Sequence, residues 1–402
     1  MSTTIMLCDD ILWYSRITEL MKVAYVGDFI NHGKSLQTTG TSIVILLSMM
    51  NEVDNIDVYC PVQNSSVEDF TLPAKVKLIP LYKYDDPLSI LHLLSIKKEN
   101  YDRIIFNLLS TGFGNGNISN LFGLLIPYTL KMLFKLQNIR VVYHNSVFTN
   151  DIEKLGYNSP FDKFRAFILG FIEKRLFKNL ETFVLLDLYK ERITSKIGLN
   201  KVTVMKGTYL EAVTSVYING KMTEELHHVE NDSPVILMHG FWGPQKNLEL
   251  GLKALHKLKL SGKKFKLIIS GGINHHFPYY EKRFDELIRQ YSDIISAYMG
   301  CTKEKDIMDQ FLNADLIVLP YNTPGGHSAV LEQALFFEVP TLAMDFPEYE
   351  EQTCSFTFVK LCSAEKFESC IEELLLLVGS NKMFSAQLKI IKAQNNVQLL
   401  LF

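Results

Sequence analysis

The stretch Asp315–Asp345, DLIVLPYNTPGGHSAVLEQALFFEVPTLAMD, falls into three pieces. DLIVLP is an apolar run of buried-strand length, and YNTPGGHS is a cluster of turn residues. AVLEQALFFE has helical composition, with apolar side chains at Val330, Leu331, Ala334, Leu335 and Phe337, and VPTLAMD returns as a second buried strand. The pieces predict a β-α-β unit. Gly325 and Gly326 let a ligand come close to the main chain, and a helix starting near Ser328 aims unpaired N–H groups at the same place. Glu332 sits just inside that helix, where the dipole favours an acid and where a carboxylate can accept hydrogen bonds from both hydroxyls of a ribose. His327 stands in the same turn. Together they predict a loop that holds phosphates, with Glu332 on the sugar ring of a nucleotide.

Outward from this unit the rhythm continues. Before it come PVILMHG with the helix NLELGLKALHKLK, whose Leu248, Leu252, Leu255 and Leu258 form one stripe. FKLIISGG with YYEKRFDELIRQ follows, then IISAYMG with a helix over Thr302–Asn313. After it, CIEELLLLV (Cys370–Val378) is the clearest helix. An earlier series places strands at Lys22–Asp28, Ile56–Pro61, Val76–Leu81, Arg103–Leu108, Ile139–Asn145, Thr182–Asp187 and Lys201–Gly207, with helices over Thr41–Asn51 and Phe161–Phe177. Strands alternating with helices predict an α/β chain of two Rossmann-like, doubly wound parallel-sheet domains. The expected division is a leader at 1–20, a first domain at 21–207, a linker at 208–233, a second domain at 234–380, and a tail at 381–402 whose apolar end, NNVQLLLF, must pack on something. Two such domains present the carboxyl ends of their sheets to each other, so the cleft between them is the expected site.

Composition narrows the function. The 402 residues suit two domains, 47% hydrophobic and 21% charged content is that of a globular chain, and a net charge of −3 argues against broad nucleic-acid binding. The six cysteines form no C-x-x-C pair, which predicts reduced thiols and the cytoplasm. The first twenty residues lack the basic start of a signal peptide. Charges interrupt both Leu121–Leu136 and Phe164–Phe177, so no transmembrane helix is expected. The basic, aromatic stretch PFDKFRAFILGFIEKRLFKN (Pro160–Asn179) has two readings: a core helix with a solvated basic face, or a surface that docks on a membrane.

Lys246 is the second chemical feature. It follows a strand and precedes a helix whose expected cap is Asn247. A lysine there faces the positive end of the dipole unless an anion joins it, when ammonium and N–H groups share a phosphate. A solvated surface lysine is the plain alternative. His144 closes the predicted strand VVYHN, where α/β domains present functional groups. Thr39–Gly40, before the Thr41 helix, is a point of backbone approach or an ordinary helix cap. The chain has no G-x-x-x-x-G-K-[ST], G-x-S-x-G, H-E-x-x-H or D-x-D, so neither a metal site nor a bound cofactor is expected.

On these residues the chain resembles the retaining GT-B glycosyltransferases of family 4, the glycosyl transferases group 1 type. HGFWGPQKNLELGLKAL is similar to that family's G-R-L-x-x-x-K-N segment and puts Lys246 on the lysine that contacts the donor diphosphate. DLIVLPYNTPGGHSAVLEQALFFEVPTLA resembles the segment that carries the E-x7-E pair and puts Glu332 on its second glutamate, which binds the donor ribose. The resemblance also implies donor contacts at Gly40, Met299, Gly300, Cys301, Gly325, Gly326, His327 and Ser328, with His144 as the catalytic residue that orients the donor sugar. It implies two domains facing each other across a cleft, and transfer of a sugar from a nucleotide-diphosphate donor to a hydroxyl of a glycan, lipid-linked or protein acceptor. Anomeric configuration would be retained, the setting would be glycan or glycoconjugate biosynthesis, and the locale the cytoplasm with an optional peripheral contact to a membrane. Phe241 stands where that family has an arginine, and Pro324 where it has the first glutamate. They keep a second reading open, a catalytically silent GT-B-like protein that binds a nucleotide, a sugar or a partner. A nucleotide-sugar epimerase of the same architecture would need acids around the sugar for which the sequence offers no candidates.

Overall fold

A computed structural model describes residues 20–28, 35–62, 72–110, 112–114, 116–150, 153, 159–198, 201–205, 233–274, 276–300, 304–354, 356–378 and 400–401. In chain order the first half holds β1 (Met21–Val26), α1 (Ser35–Ser48), β2 (Val53–Pro61), β3 (Val76–Tyr82), α2 (Pro87–Ile90), β4 (Arg103–Leu108), α3 (Asn117–Met132), β5 (Ile139–Tyr143), α4 (Pro160–Asn179), β6 (Glu181–Val184), α5 (Asp187–Ile197) and β7 (Val202–Val204). The second half holds β8 (Val235–His239), α6 (Leu248–Leu260), β9 (Lys266–Ser270), α7 (Tyr280–Gln290), β10 (Ile295–Met299), α8 (Glu304–Leu312), β11 (Leu316–Leu319), α9 (Ala329–Phe336), β12 (Thr341–Met344), α10 (Pro347–Thr353), β13 (Val359–Cys362) and α11 (Phe367–Val378).

Two parallel sheets result. The first has the order β3-β2-β1-β4-β5-β6-β7, the second β10-β9-β8-β11-β12-β13. In each the order reverses once, between β1 and β4 and between β8 and β11, and these are the points where loops diverge and leave a crevice. Burial on both faces explains why the strands read as continuous apolar runs. Ala24 and Val26 pack on one side of the first sheet, Val23 and Tyr25 on the other. Leu316 and Val318 divide from Ile317 and Leu319 in the same way in the second. Leu400 and Leu401, at the apolar end of the chain, are fully buried against Val23, Tyr25 and Ile43 of the first half.

The structure departs from the sequence reading in several places. Helix α1 starts at Ser35 and not at Thr41, so Gly40 lies inside a helix and not in a loop before it. A Cβ on Gly40 would come within 2.3 Å of both the Asp28 carbonyl oxygen and the Tyr25 hydroxyl, which is why glycine stands there. Strand β5 ends at Tyr143, which leaves His144 just past it. Helices α2 and α5 and strand β13 go unpredicted: α2 and β13 are only 4 residues long, and the apolar period of α5, Tyr189, Ile193 and Ile197, is set among charged side chains. The expected linker, apart from Ser233, and the leader, apart from Leu20, lie outside the described residues.

Helix α4 departs most. It begins with a capping box, in which Ser159 Oγ accepts the Asp162 N–H while the Asp162 carboxylate accepts the Ser159 N–H. Its core face is narrow, and Phe161, Phe164, Phe167 and Phe171 are all exposed, Phe167 to 75%. The helix packs on the core through Ile172, Leu176 and Phe177 and exposes basic side chains, as the core-helix reading expects, but phenylalanines line its outside as well. Among the described residues no helix is long and apolar enough to cross a membrane.

Candidate active site

Two neighbouring loops form the C-terminal edge of the second sheet, one after β8 and one after β11. In the first, Gly240 (φ 144°) meets Gly271 (φ 97°) so closely that a Cβ on Gly271 would lie 2.0 Å from the Gly240 carbonyl oxygen. Pro244–Lys246 forms one 3-10 turn, and Asn247 follows at φ 44°. Asn247 occupies the cap position of α6, as expected, and makes no side-chain cap bond. Asn322 staples the loops together. Its N–H donates to the Gln245 carbonyl at 3.0 Å and its Nδ2 to the Pro244 carbonyl at 3.1 Å.

Lys246 ends that turn. Its Nζ lies 3.5 Å from the centroid of the Tyr321 ring, and among the described residues it has no carboxylate partner. Burial lowers its pKa to about 7. Burial, with the Lys246 charge adding to it, also holds the nearby His239 down at about 4. A half-buried ammonium supported only by a ring face gains more from an incoming anion than a solvated lysine does, because little water competes. The solvated-lysine reading is therefore set aside.

In the second loop Gly325 (φ 63°) and Gly326 (φ 113°) make the turn into α9. Ser328 caps that helix, with its Oγ accepting the Leu331 N–H at 3.2 Å. Gln352 of α10 grips Ser328 on both main-chain groups, accepting its N–H at 3.2 Å and donating to its carbonyl at 2.9 Å. Glu332 is buried in the first turn of α9, its Oε2 3.8 Å from His327 Nδ1. Burial lowers the His327 pKa to about 4, so at neutral pH a neutral imidazole lies against the carboxylate.

The first domain reaches the same turn. Asn145 Nδ2 donates to the Gly325 carbonyl at 3.1 Å, while its Oδ1 is buried without a hydrogen-bond partner among the described residues. A Cβ on Gly326 would lie 2.0 Å from that Oδ1. His144 Nε2 donates to Asn107 Oδ1 at 2.6 Å. Burial, reinforced by His327 nearby, lowers the His144 pKa to about 3 and keeps the ring neutral, with Nδ1 left as an acceptor. Among the described residues the site thus combines the Lys246 ammonium, neutral imidazoles and a buried acid.

The remaining predicted residues are dispersed. Gly40 lies beside Asn107, whose Nδ2 would be 3.3 Å from a Cβ at that position, and so stands behind His144. Met299 ends β10 and Gly300 follows it at the outer part of the second sheet's edge, where Met299 is partly exposed and Gly300 is open. Cys301 lies outside the described residues. A latch beside the site joins the domains. Glu351 of α10 accepts the Asp187 and Leu188 N–H groups at 2.6 and 3.0 Å, at the N-terminus of α5. Arg192 of α5 bonds both Glu348 of α10, at 2.5 Å, and the Thr149 carbonyl, at 2.8 Å.

Sequence reasoning misses Tyr321, Asn322, Gln352, Asn107 and Asn145. Tyr321 and Asn322 stand in the quoted turn and Asn145 directly after His144, so position was the available signal. Their partners come from other strands or the other domain.

Residues 223–389 match the family Glycosyl transferases group 1. Solved structures share the fold over nearly the full length. Sucrose-phosphate synthase from Thermosynechococcus elongatus aligns with a TM-score of 0.69 at 14% identity, covering 95% of this chain and 96% of that one. A glycosyltransferase from Rickettsia africae ESF-5 aligns at 0.62 with 16% identity, over 95% and 96% of the two chains. The Anabaena protein Alr3699/HepE, in complex with UDP and glucose, aligns at 0.60 with 13% identity, over 94% and 97%. The fold is therefore GT-B, two parallel-sheet α/β domains. No curated protein sequence matches the chain.

Proposed function

We propose that this protein is a retaining glycosyltransferase of the family 4 type, moving a hexosyl or related group from a nucleoside-diphosphate sugar to an acceptor hydroxyl in glycan or glycoconjugate synthesis. The observation that carries the reading is Lys246, an ammonium held without a carboxylate on the loop that Asn322 staples to the turn before Glu332. In the reaction the bond from the anomeric carbon to the diphosphate oxygen breaks, the acceptor oxygen bonds to that carbon, and the acceptor proton passes to the leaving phosphate. Lys246 and main-chain N–H groups offset charge growing on the diphosphate. Glu332 accepts from the ribose, His144 Nδ1 faces the sugar, Asn145 holds the turn at Gly325, and domain closure keeps out water that would hydrolyse the donor.

A thermal-shift panel of uridine, guanosine and adenosine diphosphates and their sugar conjugates tests this. One nucleotide should raise the melting temperature, since ligand at a hundredfold excess over Kd adds about 2.7 kcal/mol of stability. If none does, the reading fails. Pro324 and Phe241 favour a second reading, a silent protein that binds the donor without turning it over. Nucleotide binding with neither donor hydrolysis nor transfer would select it.

The outer face of α4 supports a lipid surface as a partner. Phe161, Phe164, Phe167 and Phe171 are exposed, and Lys163, Lys174, Arg175 and Lys178 stand exposed among them. Aromatic side chains beside basic ones suit an anionic membrane interface, where each nearby lysine or arginine contributes about 1 kcal/mol. The protein should sediment with phosphatidylglycerol vesicles, bind phosphatidylcholine vesicles less, and lose binding when Phe164, Phe167 and Phe171 are all changed to serine. No sedimentation, or loss of self-association as the only effect of the triple change, would reject the lipid partner.

A further inference from the structure

The turn after β5 presents His144 and Asn145 to the second domain, and among the described residues no buried side chain holds its outer side. Arg192 and Lys196 of α5 bond the Thr149 and Phe148 carbonyls, each at 2.8 Å, but both side chains reach solvent. From inside, one residue meets the turn at three points. Glu173, on the core face of α4, is completely buried. Its Oε1 accepts the Tyr143 hydroxyl at 2.8 Å, and its Oε2 accepts the Ser146 hydroxyl at 2.5 Å and the Val147 N–H at 3.0 Å. The Ser146 Oγ that donates to Glu173 also accepts the Phe148 N–H at 3.1 Å. These donors bracket His144 and Asn145 on both sides.

We propose that Glu173 is the positioning residue for the sugar-facing turn: its carboxylate fixes Tyr143, Ser146 and Val147 so that His144 Nδ1 faces the substrate across the cleft and Asn145 stays on the Gly325 turn. A buried carboxylate is an expensive way to fill a core. Burial raises the Glu173 carboxyl to about 7, against the lowering effect of the Ser146, Tyr143 and Val147 hydrogen bonds. What the carboxylate contributes that leucine cannot is acceptor geometry. A glutamine can supply much of it: Oε1 would take the Ser146 and Val147 donors, and Nε2 would donate to the Tyr143 hydroxyl. The role of the turn rests on the transferase reading, while its restraint by Glu173 does not.

The test therefore has two readouts. The first is amide hydrogen exchange of residues 144–149 in the full chain. Glu173→Leu should speed it roughly tenfold or more, since three buried donors lose their acceptor, while Glu173→Gln stays near wild type. The second is a split of the kinetics. Glu173→Leu should lower kcat roughly 10- to 100-fold with UDP affinity nearly unchanged, and Glu173→Gln should restore most of the rate. Ser146→Ala, a milder change, should shift both readouts the same way and serves if the leucine variant does not fold. Exchange in 144–149 that is unchanged in Glu173→Leu, or in Ser146→Ala in its place, would overturn the proposal. So would a lowered melting temperature with kcat intact. Failure of the transferase reading would show separately, as a wild-type protein that no nucleotide stabilises.

Discussion

Lys246→Ala should weaken nucleoside-diphosphate binding by about 10- to 150-fold, the cost of losing one charge-assisted hydrogen bond of roughly 1.5–3 kcal/mol. Protein stability should change far less, because Lys246 has no carboxylate to leave stranded and its main packing is the Tyr321 ring. Affinity should also depend on pH. Lys246 titrates near 7 in the free protein, lowered by burial. A bound diphosphate favours the charged form and raises that pKa, so below pH 7 the lysine is already charged and binding takes up no proton there. Above 7 each binding event must charge a neutral lysine. Affinity should therefore fall as pH rises from 7 towards 9, by at most about tenfold per unit. The same shift makes a linked statement about folding. Because the folded pKa lies below the unfolded one, the unfolded chain holds more protons between about 7 and the ordinary lysine value, and stability rises with pH across that window. Calorimetry of UDP binding in buffers of different ionisation enthalpy reads the proton uptake directly. Affinity independent of pH in wild type, or the same slope in Lys246→Ala, would remove Lys246 from the phosphate site.

How much of this is legible in the sequence depends on where the information lies. Arg103–Leu108 is read to the residue because a strand buried on both faces needs nothing but apolar side chains. The β-α-β unit around Gly325 and Gly326 is equally plain, since turn chemistry and helix capping are local. Helix α1 is misplaced because its first residues, Ser35 to Thr39, carry no apolar period, and Gly40 normally signals a break. Here a tight contact with Tyr25 and Asp28, which no local rule foresees, requires glycine within the helix. For α4 the pattern leaves the outer phenylalanines unforeseen, because amphipathic periodicity says which residues share a face but not which face meets the core.

The site divides along the same line. Lys246, Glu332 and His144 stand at strand and helix ends and can be singled out one at a time. That Lys246 leans on Tyr321, that Asn145 crosses to Gly325 and that Gln352 holds Ser328 are facts about loops from different strands meeting at a reversal of strand order. Single-sequence periodicity has no term for them.

The contact between Asn145 and the glycine turn gives the second large effect. Gly326→Ala should lower transfer strongly while leaving each domain folded. At φ 113° an alanine is strained by roughly 1–3 kcal/mol, and its Cβ would sit 2.0 Å from Asn145 Oδ1. Asn145 would have to rotate away and give up its 3.1 Å bond to the Gly325 carbonyl, the direct link between the sugar-facing turn and the donor loop. If the overlap dominates, Asn145→Ala should partly rescue Gly326→Ala, because the shorter side chain clears the space; only the backbone strain then remains. The coupling between the two changes should be in the range of 0.5–3 kcal/mol found for residues in contact. If strain at Gly326 dominates, the double variant is no better than the single one and the coupling is near zero. Transfer rates for the four proteins of this cycle, measured beside their UDP affinities, separate the two. A Gly326→Ala protein with wild-type turnover would show that the turn does not need to meet Asn145 for catalysis, and would detach the first domain's contribution from the donor site.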